Sequence, residues 1–169
     1  MRPTLILGDE PRIAIPAARS LWRRGIPVVT VGFSGSGGGL HSRAIQQFHH
    51  LNAGDAAESP IGLVTKIIDA EQVDWLLPIG DSALQFVAEH YTQLSASIKL
   101  ACPDAAKILT VLDKELTIDA ARRCGIDVPR THKLSTLSEL HTNRSDLRFP
   151  LIAKPSSKQF DAGFKLRYY

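Results

Sequence analysis

The sequence is poor in cysteine, in aromatic residues and in long apolar runs. Its 169 residues include two cysteines, and aromatic residues make up 7%. Cys102 and Cys124 form no CxxC pair, so neither a zinc site nor a disulfide framework is expected. No stretch approaches the roughly 18 uninterrupted apolar residues of a membrane span, and the apolar run after Met1 is too short for a signal peptide. These absences predict a cytoplasmic protein with no membrane partner.

A large excess of charge of one sign is also missing. The chain has 20 Lys and Arg against 17 Asp and Glu, and the basic excess lies in residues 103–169. This excess is mild and is not interleaved with aromatic residues, so nucleic acid is not expected as a partner. It is compatible with a site for an anionic small molecule such as a nucleotide.

Strand-like and helix-like segments alternate over the first hundred residues. Apolar runs bounded by Pro and Gly predict strands, with a weak candidate at 48–51, and amphipathic segments between them predict helices. This alternation predicts an α/β fold with a Rossmann-like parallel sheet covered on both faces. The predicted strands are 4–8, 26–33, 74–79 and 97–102, and the predicted helices are 11–25, 59–70 and 83–91.

The pattern changes after residue 102, where a domain boundary is predicted between residues 1–102 and 103–169. Two helices are expected first, at 103–109 and 114–124, with Asp113 as the N-cap of the second and Gly125 at its end. A strand at 128–134 is expected to follow, then a helix starting at 135, with Ser135 or Thr136 as its N-cap, and a strand at 148–155. This order indicates the start of an α+β subdomain.

The first βα junction lacks the glycines of a dinucleotide-binding turn. Gly8 is followed by Asp9 and Glu10, where G-x-G-x-x-G would be needed, and carboxylates there would repel a pyrophosphate. An NAD-dependent oxidoreductase is therefore disfavoured. The Gly/Ser stretch at 34–39 follows the second strand and has no Lys-Ser/Thr after it, so we interpret it as a flexible loop.

Three histidines lie close together in the sequence, at positions 41, 49 and 50. Adjacent residues of a strand point to opposite faces, so His49 and His50 cannot converge on one metal ion. We expect exposed or hydrogen-bonded histidines, and no metal site within this chain.

Gly80 and Asp81 follow a predicted strand. In open α/β sheets, ligands bind beyond the carboxyl ends of the strands. Asp81 is predicted to cap the next helix, and both residues are candidates for the substrate side of a crevice.

Two lysines occupy positions that are unusual for a cation. Lys114 opens a predicted helix, where the dipole disfavours it, and Lys154 ends an apolar strand. Both positions are explained if the two ammonium groups bind phosphate oxygens. Solvent exposure of Lys114 and snorkelling of Lys154 explain the pattern equally well at this point.

The order of these segments resembles the ATP-grasp superfamily, in its carboxylate–amine or thiol ligase branch, with biotin carboxylase and carbamoyl phosphate synthetase as distant relatives. The resemblance covers essentially the whole chain and corresponds to the N-terminal portion of such enzymes. It rests on four segments, LILGDEPRIAIPAARSLWRRGIPVVTVG, DWLLPIGDSALQFVAEHY, LDKELTIDAARRCGIDVPRT and FPLIAKPSS. The last two of them carry the most specific part of the resemblance.

The resemblance implies a preATP-grasp domain at 1–102 and the beginning of an ATP-grasp domain at 103–169. ATP and Mg²⁺ would convert a small-molecule carboxylate into an acylphosphate, which an amine or another nucleophile then attacks. Lys114 and Lys154 would contact the ATP phosphates. Ser156, Ser157 and Lys158 would supply donors in a loop that has one glycine, at position 163, where the family usually has several.

The same resemblance implies that the catalytic residues and the metal ligands lie downstream of Tyr169. The chain alone is then expected to bind ATP weakly and to lack ligase activity. Exposed strand edges and apolar surface should make it self-associate into a homo-oligomer, or it should show a mobile tail from about residue 156. The alternative from a different class is a non-catalytic Rossmann-like module that binds a ligand or a protein partner.

Overall fold

The computed structural model describes residues 1–33, 41–51 and 59–154. The chain divides into two compact units, Met1–Leu109 and Thr110–Tyr169. The Gly/Ser stretch at 34–39 and the predicted phosphate-loop residues Ser156, Ser157 and Lys158 lie outside the described residues. The functional boundary at residue 102 stays a prediction.

The first unit is built on one parallel five-stranded sheet in the order β3-β2-β1-β4-β5. All four neighbouring pairs of strands run parallel, as in the register Leu7↔Val31 and Leu7↔Pro78 around the central strand. The predicted α/β fold class with a Rossmann-like sheet is therefore confirmed. The strands are β1 Thr4–Leu7, β2 Val28–Gly32, β3 Gln47–His50, β4 Trp75–Pro78 and β5 Lys99–Leu100.

The core of this unit lies on both faces of the central strands. Every residue of β1 and β2 is buried, because apolar runs without alternation suit a sheet that helices cover on both sides. Leu5, Leu76 and Val87 are completely buried, as is Ile108 near the end of the unit. The edge strand β3 is at most partly buried, which explains why its sequence signal is weak.

Helices connect β1 to β2, β3 to β4 and β4 to β5, and most begin at a residue suited to the N-terminus. Pro11 occupies the first turn of α1, and Ser59 caps α2 by accepting a hydrogen bond from the Gly62 amide at 3.2 Å. The helices of the first unit are α1 Pro11–Trp22, α2 Pro60–Ala70, α3 Asp81–Glu89 and α4 Tyr91–Ser97, and α5 Ala105–Leu112 crosses the division between the units. Within residues 1–33, 41–51 and 59–154, no helix combines the length and hydrophobicity needed to cross a membrane.

The second unit contains α6 Lys114–Arg123, α7 Leu137–Thr142 and a short 3-10 helix, Arg144–Asp146. The predicted caps are confirmed: Asp113 caps α6, Thr136 caps α7, and Gly125 has a positive φ of 71° after α6. Between residues 110 and 154, no residue whose side chain is described is buried.

Three strand predictions are wrong in extent or in kind. The strand predicted at 97–102 is shortened to two residues because α4 continues to Ser97. The strand predicted at 128–134 does not form, and within 148–154 the described backbone makes only an isolated bridge at Ile152. Pro129 and Pro150 cannot donate hydrogen bonds to a ladder, and the exposure of both segments leaves nothing to hold them in a sheet.

Candidate functional site

The carboxyl end of the sheet has its topological switch point between β1 and β4. The chain moves outward from β1 to β2 and β3, and then returns to the other side of β1 as β4. Ligand crevices of open α/β sheets lie at such a point. The backbone is tightly joined here, since the Ile79 amide donates to the Leu7 carbonyl at 2.8 Å and the Gly8 amide donates to the Val31 carbonyl at 2.7 Å.

Gly8 allows the ends of β1 and β4 to meet. Its φ is +120°, and a Cβ atom at this position would lie 2.4 Å from the Ile79 carbonyl oxygen and 2.7 Å from the Ile79 Cγ1 atom. The space that a side chain at position 8 would need is therefore filled by atoms of Ile79. This single glycine serves close strand packing, which is a different use from the phosphate-binding turn of a dinucleotide fold.

The two carboxylates after Gly8 have separate surroundings. Glu10 Oε1 accepts a hydrogen bond from Arg12 Nε at 2.8 Å, and this bond lowers the pKa of the Glu10 carboxyl. Asp9 lies against the end of β2, where a Cβ atom on Gly32 would come within 2.9 Å of Asp9 Oδ2. Both acidic groups stay at the carboxyl end of the sheet, as the sequence indicates.

Gly80 and Asp81 lie at the same switch point, but the prediction that Asp81 caps α3 is wrong. Gly80 is the N-cap, with φ of 77°, and Asp81 is the first residue of the helix. A glycine at this φ lets the chain turn directly from β4 into the helix. The helix therefore begins at Asp81, two residues before the predicted start at Ala83. Asp81 is half-buried in the first turn, where the helix dipole favours a carboxylate. The substrate-side role of both residues stays a prediction.

The histidines of β3 have partners of their own. His49 Nε2 lies 3.3 Å from Glu71 Oε1, and the His50 ring packs edge-on against Phe48 at 4.5 Å between centroids. The hydrogen bond expected for such a histidine is thus confirmed for His49. Within the part of the chain that the structure describes, no three His, Cys, Asp or Glu residues are grouped to hold a metal ion.

Lys114 lies at the first position of α6, in a firmly held helix start. Asp113 Oδ1 accepts hydrogen bonds from the amides of Glu115 at 2.8 Å and Leu116 at 3.1 Å. Thr117 Oγ1 lies 2.8 Å from the Thr110 carbonyl oxygen, which ties the first turn of α6 to the end of α5. Lys114 itself is half-buried.

A second lysine, Lys133, lies at the same helix start and is not indicated by the sequence. Its Nζ atom is 2.7 Å from Glu115 Oε2, although 18 residues separate the two positions. This hydrogen bond raises the pKa of the Lys133 ammonium, and the nearby Asp113 contributes in the same direction. Lys133 therefore stays charged and balances Glu115, so the negative charge of Glu115 does not oppose an anion near Lys114.

Lys154 is exposed and lies two residues beyond the bridge at Ile152, in the same unit as Lys114. The strand predicted at 148–155, which was expected to hold Lys154 in place, does not form within the described residues. The convergence of the ammonium groups of Lys114 and Lys154 stays a prediction.

Removing the cap of α6 tests how firmly Lys114 is held. Asp113→Ala should lower the free energy of unfolding by about 1 kcal/mol, because two amides lose their hydrogen-bond acceptor. Asp113→Asn should retain most of the stability, since an amide oxygen also caps. Urea unfolding followed by circular dichroism measures both variants. Equal stability of the alanine variant and the parent chain would contradict the capping role.

No protein-family model matches the chain. The large chain of carbamoyl phosphate synthase from Halomonas eurihalina is 28% identical to it over 110 residues, which are 62% of this chain and 10% of that protein. The chain therefore spans a small part of the length of this relative.

Solved structures match over nearly the whole chain. The L-amino acid ligase from Bacillus licheniformis superimposes with a TM-score of 0.73 at 17% identity, over 100% of this chain and 39% of the ligase. The biotin carboxylase domain of 2-oxoglutarate carboxylase from Hydrogenobacter thermophilus, a dimer solved with MgADP, ADP and bicarbonate, has a TM-score of 0.64 at 17% identity. It matches over 99% of this chain and 37% of that one. The chain has the fold of the N-terminal portion of ATP-grasp enzymes.

The ATP-grasp fold accounts for both units of the chain. The ATP-grasp proteins that this chain resembles include ligases and carboxylases, and each is longer than this chain. The resemblance seen in the sequence is thus confirmed at the level of the fold.

Proposed function

We propose that this chain serves as the N-terminal portion of an ATP-dependent ligase that joins a carboxylate to an amine or another nucleophile. Residues 1–102 act as the preATP-grasp domain, with Gly80 and Asp81 on the substrate side, and residues 103–169 begin the ATP-grasp domain. The observation that supports this proposal most is the match over the whole chain to an L-amino acid ligase at a TM-score of 0.73.

The start of α6 fits the phosphates of ATP. Lys114 is held there by the Asp113 cap, and Lys133 balances the charge of Glu115. The first turn of a helix favours anions, and lysine is a compact cation suited to phosphate oxygens. Lys154 supplies the second phosphate contact, followed in the sequence by the donors Ser156, Ser157 and Lys158.

Among the described residues, no three or more His, Cys, Asp or Glu are grouped to hold a metal ion, so we assign Mg²⁺ no ligand there. The role of this chain in the reaction is therefore to place positive charge beside the phosphates of ATP. When bound, ATP supplies the phosphoryl group that turns the carboxylate into an acylphosphate, with loss of ADP. Lys114 and Lys154 neutralise negative charge on the phosphates during this transfer. The nucleophile then displaces phosphate from the acyl carbon.

The second unit has little core of its own. None of its described side chains is buried, and Val111, Ile126, Phe149 and Ile152 are 57% to 73% exposed. Large exposed apolar side chains in a unit without buried residues are typical of surface that another part of a protein covers. We expect the remainder of an ATP-grasp domain to cover it, so that the chain alone binds ATP weakly, lacks ligase activity and self-associates into a homo-oligomer.

A nucleotide titration tests the proposal. ATP should produce saturable shifts of the backbone amides around Lys114 and Lys154, with a dissociation constant in the millimolar range, whereas NAD should produce none. Two-dimensional ¹⁵N NMR of the chain measures both ligands. Shifts confined to Gly80, Asp81 and the other carboxyl ends of the strands would contradict the proposal and favour the alternative, a non-catalytic ligand-binding module.

A further inference from the structure

A cavity of about 450 Å³ lies at the amino ends of β4 and β5, the end of the sheet opposite to the topological switch point. The C-terminal turn of α4 forms one wall, and the chain segment that enters β1 forms another. The cavity is an open surface cleft whose walls are largely exposed, and its volume lies within the range of about 300–1,000 Å³ found for small-molecule sites. Its polar lining comes from Arg2, Asp74, Tyr91, Ser95, Ser97 and Lys99.

The charges that line this cavity are predominantly positive. Arg2 is exposed, and no carboxylate within the described ranges forms an ion pair with it. Lys99 Nζ lies 3.7 Å from Asp74 Oδ2, which is longer than a hydrogen bond, and 5.5 Å from the centre of the Trp75 ring. The indole face holds the ammonium group in place without neutralising it. The lining therefore contains two cations, Arg2 and Lys99, and one carboxylate, Asp74.

Hydroxyl groups add donors to the same wall. Ser95 Oγ and Ser97 Oγ each lie 3.4 Å from a backbone carbonyl oxygen of α4, which is a long hydrogen bond. Both hydroxyls can rotate from these weak bonds towards a ligand, and Tyr91 lines the cavity beside them. The carbonyl groups at the end of α4 disfavour an anion, but this partial charge is smaller than the full charges of Arg2 and Lys99.

We propose that this cavity binds a small organic anion through Arg2 and Lys99, with Ser95 and Ser97 as hydroxyl donors. The ligand carries a carboxylate or a phosphate group, since both accept hydrogen bonds from arginine, lysine and serine. Because the cations are exposed, binding is of millimolar strength and weakens as the salt concentration rises.

Titration of the chain with succinate and, separately, with inorganic phosphate tests this site at constant ionic strength set by sodium chloride. The amides of Ser97 and Leu100 and the indole N–H of Trp75 are followed by ¹⁵N NMR. At least one of the two anions should shift these signals along a saturable curve, and the stronger of the two identifies the preferred group.

Matched variants decide whether the two cations hold the anion. Arg2→Gln and Lys99→Gln should each weaken binding at least fivefold, and both residues are exposed, so the amide spectrum of each variant should stay folded. Arg12→Gln removes a cation at the other end of the sheet and should leave the affinity unchanged. A linear, unsaturated response to both anions, or equal effects of all three variants, would overturn the proposal.

Discussion

Replacing Gly8 with alanine is expected to lower the free energy of unfolding of the chain by about 3 kcal/mol or more. The new Cβ atom would lie 2.4 Å from the Ile79 carbonyl oxygen, which belongs to the backbone and cannot move aside without shifting the end of β4. Overpacking of this kind costs about 1–3 kcal/mol, and the positive φ adds about 1–2 kcal/mol for a residue with a Cβ atom. Such a loss is a large part of the stability of an ordinary domain.

The matched control is Gly25→Ala, which separates steric conflict from backbone strain. Gly25 also has a positive φ, of 73°, but no atom lies within 4 Å of the position of its missing Cβ. This variant should lose about 1–2 kcal/mol through backbone strain alone. Urea unfolding monitored by tryptophan fluorescence measures both. Equal losses in the two variants would show that the switch point has room for a side chain, contrary to the structure.

Replacing either proposed phosphate ligand should weaken ATP binding by about tenfold or more. Lys154→Met and Lys114→Met keep most of the unbranched side chain and remove its charge, and a hydrogen bond to a charged group is worth about 1.5–3 kcal/mol. Isothermal titration calorimetry with ATP measures the dissociation constants, and the variant with both changes should show no measurable binding.

Lys107→Met is the control for these variants. Lys107 is an exposed helical lysine of the first unit that already pairs with Asp104, so its loss should leave the affinity for ATP unchanged. An unchanged dissociation constant in both Lys114→Met and Lys154→Met would remove these residues from the proposed site, whatever the fold.

Local sequence signals were sufficient for the central strands of the sheet and for most helices of the first unit. The apolar runs of β1 and β2 have no other stable environment than a sheet covered on both faces, and both strands are entirely buried. Asp113 and Thr136 are caps because their side chains satisfy amides only two or three residues away. Contacts of this range are visible in a single sequence.

Features that depend on contacts between residues far apart in the chain were harder to predict from the sequence. The polar edge strand β3 is set by its pairing with β2, and only weakly by its own composition. The segments at 128–134 and 148–154 have strand-like composition, but no neighbouring strand holds them within the described residues. The start of α3 at Asp81 follows from the φ of Gly80, which composition does not specify.

The candidate site shows the same division. Lys114 could be singled out because it opens a capped helix, whereas Lys133 reaches that helix only through a contact over 18 residues. The cavity beside Arg2 and Lys99 joins three separate stretches of chain, at the starts of β1, β4 and β5. Nothing in the spacing of its residues brings them together before the sheet is folded.

The most direct test of the proposed function follows the side-chain nitrogens of the lysines during an ATP titration. With ¹⁵N-labelled lysine, the Nζ signals of Lys114 and Lys154, assigned from the two methionine variants, should shift together along one saturation curve. The Nζ signal of Lys107 should not follow that curve. Binding of ATP that leaves both Lys114 and Lys154 unshifted would contradict the proposal that these two lysines hold its phosphates.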